Sequence, residues 1–145
     1  MLKSICLAAA MLAVAAVPAL AAGECGPTPI GPAIPAASDL SGRTVEAGRA
    51  EVLDAYHQVK AYQASNQSFR ACMEKQDDAD TAALAEAQGK GDKDQVAPIQ
   101  QSIKDLLAIY QKTIDNETQV ATEFNDLRAA QCTRDTDPQV CPKKP

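Results

Sequence analysis

Cysteine stands at positions 6, 25, 72, 132 and 141, and the pairings open to these residues constrain the fold more than any other feature of the chain. What cysteines do depends on the compartment. Met1 to Ala21 carries Lys3 near its start, an apolar run from Ile5 to Val17 and the small-residue pattern Ala19-Leu20-Ala21. That is the form of a secretory signal peptide, with cleavage after Ala21 or Ala22. The uncharged stretch Ser4 to Gly23 is also long enough to span a bilayer, which makes a retained anchor the competing reading. The A-x-A site and the lack of a following basic stop favour removal. A lipid-anchored reading fails at Glu24, which precedes Cys25 where lipid-attachment signals place a small residue. The alanine-rich leader is bacterial in style, so the expected location is periplasmic or secreted, with no membrane span after cleavage.

Residues 22–145 are enough for one small domain. The net charge of −5 becomes one unit more negative once Lys3 leaves with the leader. An acidic chain with no basic run argues against nucleic acid or anionic lipid as a partner. Lys143-Lys144 is too short to reverse that balance.

Cys25, Cys72, Cys132 and Cys141 then form an even set in an oxidising compartment, which predicts two disulfides in one of three pairings. A zinc site is the rival use. The chain has no C-x-x-C pair and a single histidine, His57, between distant cysteines, so disulfides are the better reading.

From Ser41 onward the apolar residues follow helical spacing. Val45, Val52, Tyr56, Val59, Tyr62, Phe69 and Met73 mark one stripe, with Arg49 and Asn66 filling two of its positions, and predict a helix over 41–75 capped by Ser41. Ile99, Ile103, Leu106, Tyr110, Ile114, Ala121 and Phe124, flanked by Leu107, Val120 and Leu127, predict a second helix over 97–131, with Pro98 in its first turn. Each helix has one face to bury. The expected fold class is therefore all-α: an antiparallel two-helix hairpin with a Pro-rich N-terminal arm over 22–40. The acidic linker 76–96 holds a short connecting helix from Asp80-Thr81 to Gly89, and residues 132–145 form a C-terminal loop and tail. If Lys75 faces Ala97 across the turn, His57 lies near Glu117 and Tyr62 near Tyr110. The five aromatic residues all fall inside the two helices, and a two-helix core this thin is marginal without staples.

The arm CGPTPIGPAIP, from Cys25, answers that need. Pro29, Pro32 and Pro35 share the three-residue period of a polyproline II rod. Such a rod from Cys25 to Leu40 spans about 50 Å at ~3.1 Å per residue, and a helix from Ser41 to Cys72 returns about 46 Å at ~1.5 Å per residue. Cys25 therefore reaches Cys72 if the arm folds back along the helix, with Ile30 and Ile34 available to pack in the groove. Cys132 sits at the other end of the hairpin and is left with Cys141. The predicted bonds are Cys25–Cys72 and Cys132–Cys141.

A Cys-x-Pro-rich opening after a signal peptide, followed by a helix that ends in Phe69-Arg70-Ala71-Cys72, resembles a group of small exported bacterial proteins over residues 1–73. The resemblance implies the Cys25–Cys72 pairing and implies no activity; Cys132 and Cys141 would be additions to that pattern.

Chemistry-bearing constellations are sparse. Nucleophilic catalysis needs a base beside a nucleophile, and His57 next to Tyr56 reads as a boundary or surface residue. Thiol redox catalysis lacks its C-x-x-C at a helix start. Asp77, Asp78, Asp80, Asp92 and Asp94 match no calcium-loop spacing and read as a solvated acidic stretch. The sequons at Asn66 and Asn116 read as chance matches. The P-x-x-P pattern of the arm reads as intramolecular packing before docking to a partner domain. No catalytic residue, cofactor or metal ligand is assigned. The expectation is a binding or accessory protein of the bacterial cell envelope with a protein partner there. An envelope-stress chaperone or metal-responsive helical protein is the alternative, and self-association through the long helices stays open.

Overall fold

The computed structural model describes residues 23–142. The signal-peptide reading of Met1 to Ala21 and the tail 143–145 lie outside the described residues.

Two helices make the fold, α1 over Val45–Lys90 and α2 over Lys93–Cys132, preceded by short 3-10 turns at Gly23–Cys25 and Ala37–Leu40. They pack antiparallel as a hairpin, and the described residues contain no strand. The seam of α1 is Gly48, Val52, Ala55, Val59, Tyr62, Asn66, Phe69, Met73, Asp80 and Ala87. Steps of four and three alternate from Gly48 to Met73, which is the spacing of a coiled-coil stripe. On α2 the buried positions are Leu106, Thr113, Val120, Phe124, Leu127 and Gln131. Leu40 and Val140 from the flanking segments close the larger core cluster, around Val52, Val59, Tyr62, Phe124 and Leu127. A smaller cluster joins Phe69, Met73 and Leu106, with Cys25 packed against it.

The expected short connecting helix is absent as a separate element. The stretch 76–96, expected as a linker, continues α1 to Lys90 and begins α2 at Lys93. The reason lies at Asp80, which occupies a seam position and is buried. Its Oδ2 accepts from Ser102 Oγ at 2.8 Å and its Oδ1 from Gln76 Nε2 at 2.9 Å, so a polar residue holds the seam where an apolar one was missing. The reversal needs two residues. Gly91 adopts the left-handed conformation, φ 70°, at no side-chain cost, and Asp92 N donates to Ala87 O at 2.9 Å. Asp92 then caps α2 by accepting from Gln95 N.

Moving the turn shifts the register. Tyr62 lies by Val120, with both side chains against Gly31 of the arm, and not beside Tyr110. Glu117 pairs with Arg70 at 2.6 Å and not with His57. The helix starts move as well: Thr44, not Ser41, caps α1 by accepting from Ala47 N at 3.2 Å, and residues 37–40 form a 3-10 turn. Because α2 starts at Lys93, Pro98 sits in its second turn and costs one helix hydrogen bond.

The arm lies over the seam between the helices. A Cβ on Gly31 would stand 2.9 Å from Val120 Cγ2 and 3.6 Å from Tyr62 Cζ, so the backbone rests directly on both helices there. Ile34 packs against the larger core cluster, whereas Ile30 is 92% exposed. A three-residue period explains the difference: Gly31 and Ile34 share the inward edge of the rod, and Ile30 stands a third of a turn away. Both staples join the expected partners, Cys25 to Cys72 and Cys132 to Cys141.

Candidate functional site

At the open end of the hairpin α1 begins, α2 ends and the Cys132–Cys141 loop turns back across both. Polar groups fix this end. Arg49 donates from Nε to Asp135 Oδ2 at 2.9 Å and from Nη2 to Asp135 Oδ1 at 2.8 Å, and its Nη1 lies 3.1 Å from Asp137 Oδ2. The Gln131 amide donates to Val45 O at 2.8 Å and to Asp135 Oδ2 at 3.0 Å. Arg134 reaches the carbonyls of Arg43 and Thr44 at 2.8 and 3.3 Å. The fork of Arg49 matches the carboxylate edge to edge, which is the strongest common form of a charged hydrogen bond. With the Gln131 amide and the Asp137 backbone N–H added, these donors hold the Asp135 carboxyl well below the usual carboxylate range, and the Arg49 guanidinium is raised in turn, chiefly by its bond to Asp135.

The loop itself is built from consecutive Asp-led turns. Asp137 N donates to Asp135 Oδ1 at 3.0 Å and Gln139 N to Asp137 Oδ1 at 2.9 Å. These turns carry Val140 into the core and leave Pro138, Gln139 and Pro142 as one wall of a groove.

That groove, about 290 Å³, is also lined by Leu53, Tyr56, His57, Phe124 and Arg128. Tyr56 is 43% exposed, because the neighbouring seam position is taken by Ala55. Its ring stands 6.1 Å from that of Phe124 and 5.6 Å, edge to face, from that of His57. Arg128 lies over Phe124 with its guanidinium carbon 5.8 Å from the ring centroid. The result is an apolar floor, aromatic sides and a cationic rim. Such a surface holds a ligand by burial and orients it by charge.

None of the four stapled cysteines lines this groove, and one of the two bonds borders it. Cys132–Cys141 ties down the loop wall, while Cys25–Cys72 lies toward the middle of α1. His57 lines the groove with its ring edge to face on Tyr56. The acidic residues 77–94 do not converge, and no group of three or more metal-ligating side chains occurs among the described residues. Asn66, the first sequon position, is fully buried, which closes it to modification in the folded chain. Spacing of apolar residues alone does not point to Arg128 or Asp135. The Asp135-Thr136-Asp137-Pro138 string between two close cysteines is the signal that an ordered turn would be found there.

No helix of the described residues is long and apolar enough to cross a membrane. No protein-family model, curated protein or solved structure matches the chain.

Proposed function

We propose that the chain is a small exported protein of the bacterial cell envelope that acts by binding, not by catalysis, and that the groove at the open end of the hairpin is where it binds. The observation that carries this reading is the placement of Tyr56, Phe124, His57 and Arg128 around one apolar groove whose wall is fixed by a disulfide and by the Arg49–Asp135 pair. A rigid groove loses little conformational entropy when filled, and the half-exposed ring of Tyr56 offers apolar contact area beside the edge of Phe124. The signal-like leader, the disulfides and the resemblance to small exported bacterial proteins support the envelope assignment.

The test is an NMR titration of the isotope-labelled mature protein with fractions of envelope extract. Saturable shift changes confined to Tyr56, His57, Arg128 and the 138–142 wall are expected. An extract that moves none of these resonances, or moves them only together with the whole of both helices, would remove the binding assignment.

A second reading, an envelope-stress chaperone, draws on the separate exposed apolar residues Ile30, Leu107 and Ile114. Failure of the mature protein to suppress aggregation of an unfolded client would count against it, and suppression that survives in a triple serine variant would show that those positions are not its surface.

A further inference from the structure

We propose that the groove takes a small monocarboxylic acid with an apolar body, its carboxylate on Arg128 and its body against Tyr56, Phe124 and Val140. This deepens the binding reading above and rests on it.

Five arginines lie in the described residues, and four have oxygen partners: Arg43 binds Glu51 and a backbone carbonyl, Arg49 binds Asp135 and Asp137, Arg70 binds Glu117, and Arg134 binds Gln131 and two backbone carbonyls. Arg128 alone among them has none; its contact is the face of Phe124. That contact, 5.8 Å from the guanidinium carbon to the ring centroid, is no hydrogen bond, and the five N–H donors along the planar edge of the group keep no oxygen partner among the described residues. That edge is the part which grips a carboxylate in two parallel hydrogen bonds. In a chain of net charge −5, an arginine left without an acidic partner beside an apolar groove is complementary to an anion. The chemistry of the walls selects which anion. Among the described lining residues Arg128 is the one permanent cation, and its single charge is balanced by a carboxylate, whereas a phosphate dianion would bring a second charge against Phe124 and Val140. The size selects further: about 290 Å³ lies at the low end of small-molecule sites, roughly 300 to 1,000 Å³, which suits one ring or a short aliphatic chain.

The experiment is isothermal titration of the mature, oxidised protein with 4-phenylbutyrate, its primary amide and inorganic phosphate, with binding sites mapped by amide shifts. The acid is expected to bind at the groove. The amide, and Arg128→Gln against the acid, should each bind roughly tenfold or more weakly, the loss for a charged hydrogen bond. Arg128→Lys should recover only part of the affinity, because an ammonium lacks the planar fork. Unchanged amide-fingerprint spectra and thermal midpoints in these variants show that the fold is kept. Equal binding of acid and amide, tighter binding of phosphate, or an unaffected Arg128→Gln would each overturn the assignment. If extract components still shift the groove resonances in that case, the binding reading stands and only the carboxylate inference falls. A peptide ending in an apolar residue with a free carboxylate, bound in an Arg128-dependent way while 4-phenylbutyrate is not, would reassign the site to protein C-termini and overturn the small-molecule proposal.

Discussion

Asp135 accepts from both Nε and Nη2 of Arg49, at 2.9 and 2.8 Å, across a sequence separation of 86 residues. The pair joins the first turns of α1 to the segment after α2, so it reports on closure of the open end. Asp135 is depressed in the folded chain, and an ordinary Asp titrates near ~3.9 when unfolded. Its contribution is therefore complete above about pH 4 and is lost as pH falls below that toward the folded value. Asp135→Asn is expected to lower the thermal midpoint at neutral pH by several degrees and to flatten its decline in acid. Parallel melts of both proteins from pH 7 downward check this; curves that stay parallel below pH 4 would show that Asp135 is not the linked group.

Gly48 faces Gln131 and Arg134 so closely that a Cβ would collide with Gln131 Oε1 and the Arg134 guanidinium, and would stand 3.0 Å from Gln131 Cδ. Gln131 cannot retreat without releasing Val45 O and Asp135. Gly48→Ala should therefore destabilise by about 1–3 kcal/mol through overpacking, even though alanine in a free helix would gain ~1 kcal/mol. Urea unfolding gives the sign. A stabilised variant would mean that the helices separate at this end at little cost.

Much of this fold is legible in the residues. Val52, Val59, Tyr62, Phe69 and Met73 are buried in α1 as their spacing predicts, and the arm length brings Cys25 to Cys72. The parts that were not legible share one cause: the seam is completed by residues that carry no apolar signal. Beside Asn66, which the stripe already includes, Gly48, Ala55, Asp80, Thr113 and Gln131 all occupy it. With Ala55 unrecognised, Tyr56 reads as core and is 43% exposed; with Thr113 unrecognised, Ile114 reads as core and is 37% exposed. With Asp80 unrecognised, a continuous helix reads as a linker and the register slides. The groove was hidden for the same reason, since Tyr56 forms its side only by standing one position outside the seam.

Asn66 is 0% exposed, and neither its Oδ1 nor its Nδ2 has a hydrogen-bond partner. It lies on the seam between Tyr62 and Phe69. A buried polar group without partners opposes folding, so Asn66→Leu is expected to raise stability by about 1–3 kcal/mol. A single buried polar residue also discriminates against alternative helix pairings. Sedimentation of the variant therefore accompanies its unfolding curve: a gain in stability with a mixture of oligomers would assign Asn66 to pairing specificity, and a loss of stability would contradict the unsatisfied state.

The two staples should differ in what they hold. In the chain-entropy picture the Cys25–Cys72 loop contributes about 4 kcal/mol and the Cys132–Cys141 loop about 3 kcal/mol. A Cys25→Ser, Cys72→Ser double variant should free the arm from the seam while leaving the groove resonances in place. The pair Cys132→Ser, Cys141→Ser should do the reverse, perturbing Tyr56 and Arg128 and sparing the Cys25 end. A non-reducing peptide map of the alkylated mature protein, without residues 1–21, fixes the starting point, with both bonds and no free thiol expected.

Both disulfides join each cysteine to the next one along the chain, 25 to 72 and 132 to 141, with neither loop enclosing or crossing the other. In a chain exported N-terminus first, Cys25 and Cys72 would emerge and pair before Cys132, which would then find only Cys141 still unpaired. Consecutive pairing of this kind is expected to need an oxidant and little reshuffling, which refolding of the reduced mature protein with oxidant alone would test.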